Sequence, residues 1–149
     1  MAMKLIGIDL GERYVGLAVL DDPELGARPL DTVVVTAETA VKRVAARVLA
    51  ERATQLVIGL PLRLDGREGS ASRGARRFAE ALAKATKLPV ELQDERLTTV
   101  QAHGNRIAAG KKGREGIDAR AAAILLDTWA AAKGLTCRRE AREHPSDDE

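Results

Sequence analysis

The chain has 149 residues, of which 45% are hydrophobic and 31% charged; that balance excludes a disordered or fibrous protein and fits one globular, soluble domain with a single core. Aromatic residues amount to 2%, only Tyr14, Phe78 and Trp129, so the core must be aliphatic and a nucleic-acid surface built from stacked rings is disfavoured. A net charge of +2 says little by itself, and a single cysteine, Cys137, allows no internal disulfide, as expected in a reducing, cytoplasmic setting.

Residues 4–10 (KLIGIDL) read as a strand, Gly11 to Arg13 as a turn and residues 14–20 (YVGLAVL) as a second strand, which together make a hairpin. Asp9 is out of place, a charge inside the apolar run of Leu5, Ile6, Ile8 and Leu10. After a loop, residues 30–36 form a third strand. Over 38–53, Val41, Val44, Ala45, Val48 and Leu49 recur at i, i+3, i+4, i+7 and i+8, the spacing of an amphipathic helix. Residues 54–61 (TQLVIGLP) are a short buried strand stopped by Gly59 and Pro61. A polar, glycine-bearing loop leads to a helix over 72–86 with Ala75, Phe78, Ala79, Leu82 and Ala83 on one face. Residues 88–95 (LPVELQDE) make a fifth strand. Thr98, with Gln101 three residues on, opens another helix through a capping box. AGKKGREG (109–116) breaks it, and 117–133 is a last, Ala-rich helix carrying Ile124, Leu125 and Trp129. At this spacing Trp129 belongs to the core. The domain is expected over 1–137, with a charged, disordered tail over 138–149.

The order β-β-β-α-β-α-β-α-α predicts a mixed sheet with helices on both faces. In such sheets sites gather at the carboxyl ends of strands, and Asp9 lies at one. Asp94 and Glu95 end the fifth strand, and Asp118 starts the last helix. Each has a structural alternative: Asp9 as a turn residue, Asp94 as a turn cap, Glu95 as a partner of Arg96, Asp118 as a helix N-cap or an acid favoured by the helix dipole. If strands one and five are neighbours and the last helix lies across them, the acids converge. Two carboxylates about 4 Å apart repel by roughly 4 kcal/mol at an effective dielectric near 20, so a converged set needs a cation or a shared proton. Oxygen ligands suit Mg²⁺ or Mn²⁺. Zinc is disfavoured because His103, His144 and Cys137 are isolated. Carboxylates holding divalent ions suit phosphodiester hydrolysis.

Basic residues gather near these acids. From Arg96 to Arg120 six cations face two acids, and from Pro61 to Arg77 five face two, whereas the last twelve residues carry three cations and five acids. An acidic tail therefore masks a basic body suited to a polyanion. Arg67 and Arg73, in the loop after the fourth strand, and Lys111, Lys112 and Arg114, before Asp118, are the candidate phosphate contacts. Arg96 would pair with Asp94 or with the phosphate.

The segments GIDLG, VIGLPLRLDGREG, DERLTT and IDARAAAILL, in this order and spacing, resemble the YqgF (RuvX) family over residues 4–129. The resemblance implies an RNase H-like fold, an α/β fold with a five-stranded mixed sheet whose first three strands are antiparallel. It implies a metal-dependent nuclease acting in pre-16S ribosomal RNA maturation or, alternatively, a Holliday junction resolvase acting on branched DNA, either one leaving a 5′-phosphate. The family's catalytic and metal-binding acids carry over onto Asp9, Glu95 and Asp118. Asp94 is the runner-up within DER, because alternation with Val90 and Leu92 puts it on the core side. A monomer or a homodimer is compatible with the sequence, the dimer being what a symmetric junction would require. Two other readings compete. GIDLG also resembles the phosphate-binding turn of the actin and sugar-kinase group, which needs two such domains where this chain has one. A non-catalytic nucleic-acid-binding module is the other.

Overall fold

A computed structural model of the chain describes residues 3–61, 65–94 and 114–135. The elements are β1 (Leu5–Leu10), β2 (Tyr14–Leu20), β3 (Arg28–Val34), α1 (Ala40–Ala50), β4 (Gln55–Leu60), α2 (Ser70–Thr86), β5 (Val90–Asp94) and, as α3, the helix Arg114–Ala132. The further helix expected from Thr98 and the tail over 138–149 lie outside the described residues.

The strands form one sheet in the order β3-β2-β1-β4-β5. β1 and β2 pair antiparallel through the hairpin, β2 and β3 pair antiparallel, and β1–β4 and β4–β5 pair parallel. This is the expected mixed sheet. The condition that β1 and β5 be neighbours is not met, because β4 lies between them. The two strands are therefore about two strand spacings, or roughly 9.6 Å, apart.

Alternation along the buried strands sorts their side chains between two cores. Ile6, Ile8, Val15, Leu17, Val19, Leu56 and Ile58 face α1 and α2, where they meet Val44, Val48, Phe78 and Leu82. Leu5, Ala18, Leu20 and Val57 face α3, where they meet Ala122, Leu126 and Trp129. Both faces are thus apolar, which is why these strands read as continuous hydrophobic runs. Trp129 is 5% exposed and belongs to the core, as its spacing indicates.

Element bounds and one burial assignment differ from the sequence reading. β3 begins at Arg28 and takes in Pro29, which was assigned to a loop. A proline is tolerated there because β3 is an edge strand, and the pairing skips a residue beside it, between Leu17 and Ala18. Leu49, expected on the buried stripe of α1, is 47% exposed; the buried stripe is only Val44, Ala45 and Val48 wide. α3 starts at Arg114 rather than at 117, so the last three residues of AGKKGREG are helical.

Candidate active site

Asp9 lies near the end of β1, directly opposite Gly16 of β2. It shares its parity with Leu5 and Gly7, both of which meet α3, so its side chain belongs to the α3 face of the sheet. Antiparallel partners have Cα atoms about 4.5–5.5 Å apart.

Gly16 is where the helix touches down. A Cβ built on it would fall on the carbonyl group of Asp118. Gly7 repeats this one turn further along α3, since a Cβ there would lie 2.9 Å from the Ala122 oxygen and the Leu126 Cβ. Only a strand surface with no side chain lets an Ala-rich helix approach its backbone so closely. The main chain of Asp118 therefore rests on the residue that pairs with Asp9, and the two acids share one corner of the fold. A hydrogen bond fixes the helix from the side: the Ala27 amide donates to Asp127 Oδ1 at 2.8 Å.

Asp118 is 6% exposed and stands in the second turn of α3. It is not the N-cap that its place before an Ala-rich run suggested, because the helix begins four residues earlier. A buried carboxyl is held by charge or by hydrogen bonds, and from the second turn Asp118 does not act as the N-cap.

The DER motif divides. Asp94 shares the parity of Val90 and Leu92, which pack on the α1/α2 side, whereas Glu91 reaches the α3 side and accepts from Trp129 Nε1 at 3.4 Å. Asp94 is therefore on the sheet face opposite Asp9. The alternation argument that favoured Asp94 assumed one core face; with cores on both faces it loses its basis. Glu95, Arg96, Lys111 and Lys112 lie outside the described residues. Arg114 opens α3. Among the described residues no three of His, Cys, Asp and Glu form a metal-sized cluster.

The loop expected from Arg63 to Arg73 is shorter, because α2 starts at Ser70. Arg73 is exposed on its first turn. Arg67 is also exposed and lies 3.6 Å from Asp65. Arg76 is committed elsewhere: its Nε donates to both Glu68 oxygens at 2.9 and 3.0 Å, and that guanidinium holds the Glu68 carboxyl below the usual range. Sequence reasoning gave Gly16 and Gly7 no part in placing Asp118. Their signal was present, as glycines inside two strands that are otherwise mostly apolar.

The fold resembles that of RuvC. It superposes on the Thermus thermophilus RuvC structure with a TM-score of 0.53 at 23% identity, covering 89% of this chain and 98% of that one. A second RuvC structure from the same organism, in complex with a Holliday junction substrate, gives 0.52 over 89% of this chain and 97% of that one. The sheet order and its flanking helices give an RNase H-like fold. The sequence profile of the RuvX family, described as Holliday junction resolvase, matches residues 3–132, and the chain belongs to that family. A relative from Anaeromyxobacter sp. (strain Fw109-5), named "Putative pre-16S rRNA nuclease", is 44% identical over 131 residues, 85% of this chain and 96% of the relative. One of the same name from Myxococcus xanthus is 40% identical over 134 residues, 87% of this chain and 89% of the relative.

Proposed function

We propose that the chain is a divalent-metal-dependent nuclease that processes RNA, with the 5′ end of pre-16S ribosomal RNA as its substrate. The observation that supports this reading is the close approach of the Asp118 main chain to Gly16, the strand partner of Asp9, at the carboxyl end of β1. The names of the relatives supply the substrate.

The donor set fits Mg²⁺ or Mn²⁺, because both acids brought together offer hard carboxylate oxygens. Asp9 and Asp118 would hold the ion, with Glu95 as the third ligand. Asp94 is the weaker choice, since it occupies the other face. When bound, such an ion supplies positive charge at the reacting phosphate and lowers the pKa of a water. Asp118, fixed through its main chain, keeps its carboxyl in place without a long flexible tether. Asp9 projects from a paired strand, so neither acid needs to reorganise on substrate binding. Arg67, Arg73, Arg96, Lys111, Lys112 and Arg114 would take the phosphates of the flanking strand. Among the described residues no helix is long and apolar enough to cross a membrane, and the lone cysteine supports a cytoplasmic setting.

A second reading, resolution of branched DNA, is supported by the family's description and requires a homodimer. A cleavage assay on labelled single-stranded RNA and on a four-way DNA junction separates the two. It uses Mg²⁺ or Mn²⁺, with EDTA and the Asp9→Asn variant alongside. RNA cut with the junction intact supports RNA processing. Paired symmetric cuts in the junction support the resolvase. Binding without cutting, equal in the variant, supports a non-catalytic module.

A further inference from the structure

A cleft of about 870 Å³ opens on the α1/α2 face of the sheet, at the same carboxyl edge as the acids. That volume lies within the range of small-ligand sites. Leu10 and Gly11, the two residues that follow Asp9, form one wall, and Pro61 at the end of β4 adjoins them. Ala71 and Phe78 of α2 form the opposite wall. Among the described residues that line it, charge is confined to two side chains, Glu12 on the hairpin turn and Arg77 on α2. Among the described residues no acid pairs with Arg77, whereas its neighbour Arg76 is held by Glu68. Arg73 stands one turn before Arg77 and is likewise exposed.

We infer that this cleft receives one unpaired base of the nucleic-acid strand whose phosphate lies at Asp9. The inference rests on the nuclease reading above and narrows its substrate to a single-stranded segment. An interior of Leu10, Pro61, Ala71 and Phe78 suits the flat, weakly hydrated face of a base and offers nothing to a phosphate. The Glu12 carboxylate repels a phosphate and can accept from a base N–H group. Arg73 and Arg77, at i and i+4 on one helix face, suit the phosphate that follows the base. Leu10 and Gly11 follow Asp9 directly in the chain, so a strand that passes over the carboxyl end of β1, from the α3 face to the α1/α2 face, meets this wall next to Asp9. A base held in a stacked duplex cannot enter.

Binding of a fluorescent single-stranded RNA to the Asp9→Asn protein tests this without turnover. Abasic nucleotides placed at each position in turn should weaken binding roughly tenfold at one position beside the cleavage site, the size of one base contact. Ala71→Trp fills the cleft from an exposed position; it should weaken the intact RNA by about the same factor and abolish the abasic effect. Arg77→Gln should weaken binding and lower the salt slope by about one. It provides the decision if Ala71→Trp fails to fold in a thermal melt. A flat abasic scan, or an Ala71→Trp protein with wild-type affinity and wild-type scan, overturns the inference. If RNA is cut by the wild type but the scan is flat, the cleft fails and the nuclease reading stands. If the scan shows its minimum but no RNA is ever cut, the nuclease reading fails and the cleft stands.

Discussion

The two ends of the sheet handle acids in opposite ways. At the amino end, acids are tied to cations by side chains. Glu51, which follows α1, is bound by Lys4 at 3.2 Å and by Arg47 at 2.8 Å, and Arg47 also reaches Asp31 at 3.1 Å. Glu91 accepts from Gln55 at 3.0 Å and lies 3.4 Å from Lys133. Burial pushes the Glu91 carboxyl up, but the Trp129 N–H, Lys133 and Gln55 outweigh it and hold it below the usual range. At the carboxyl end, the main chain of Asp118 packs on Gly16, the strand partner of Asp9. Long side chains neutralise a charge and can be replaced at little cost. Backbone contact fixes where a residue sits more tightly than a long side chain can, which is what the proposed metal site would require.

The largest effect that separates the two ends is on turnover. Asp9→Asn and Asp118→Asn should each lower kcat by at least about 10²-fold, on the scale of losing one preorganised charge-stabilising group. In EDTA, Asp9→Asn should keep or raise the melting temperature, because it relieves repulsion between acids. A clear fall in melting temperature without metal would make Asp9 a structural residue and erase the contrast.

Gly16→Ala comes next. The added Cβ meets the Asp118 carbonyl, so β2 and α3 must separate, at about 1–3 kcal/mol. The expected result is a fall of several degrees in melting temperature together with weaker Mn²⁺ binding in a calorimetric titration. An Asp118 placed independently of this contact would leave Mn²⁺ binding unchanged.

Arg47→Gln at the amino end should cost less, from a few tenths to about 1 kcal/mol, since its partners are partly exposed. Turnover should not change. The Arg47 and Lys4 hydrogen bonds hold the Glu51 carboxyl below its usual value. Its contribution is thus complete above the unfolded carboxylate range and disappears as pH falls through the lower folded value. The difference in stability between wild type and Arg47→Gln should therefore narrow in acid; a gap that widens there would contradict the pairing. The smallest effect is expected from deleting residues 138–149, whose charged composition offers little to pack. Cleavage should match that of the full chain, and a loss would assign the tail a role in binding.

Composition, periodicity and motif order were enough for much of this protein. The hairpin follows from two apolar runs around Gly11, the helices from 3.6-residue spacing, and the RNase H-like class from the alternation of strands and helices with the four motifs. Asp9 stands out as a candidate because it is a charge inside an apolar run. These are short-range signals, and the chain carries them wherever it goes. Tertiary structure decided the rest. No local pattern says that β4 separates β1 from β5, or that α3 covers the face where Asp9 points and leaves Asp94 on the other. Nor does local sequence show that Gly16 admits the Asp118 backbone, because that contact joins residues a hundred positions apart and exists only once two apolar faces have closed on each other.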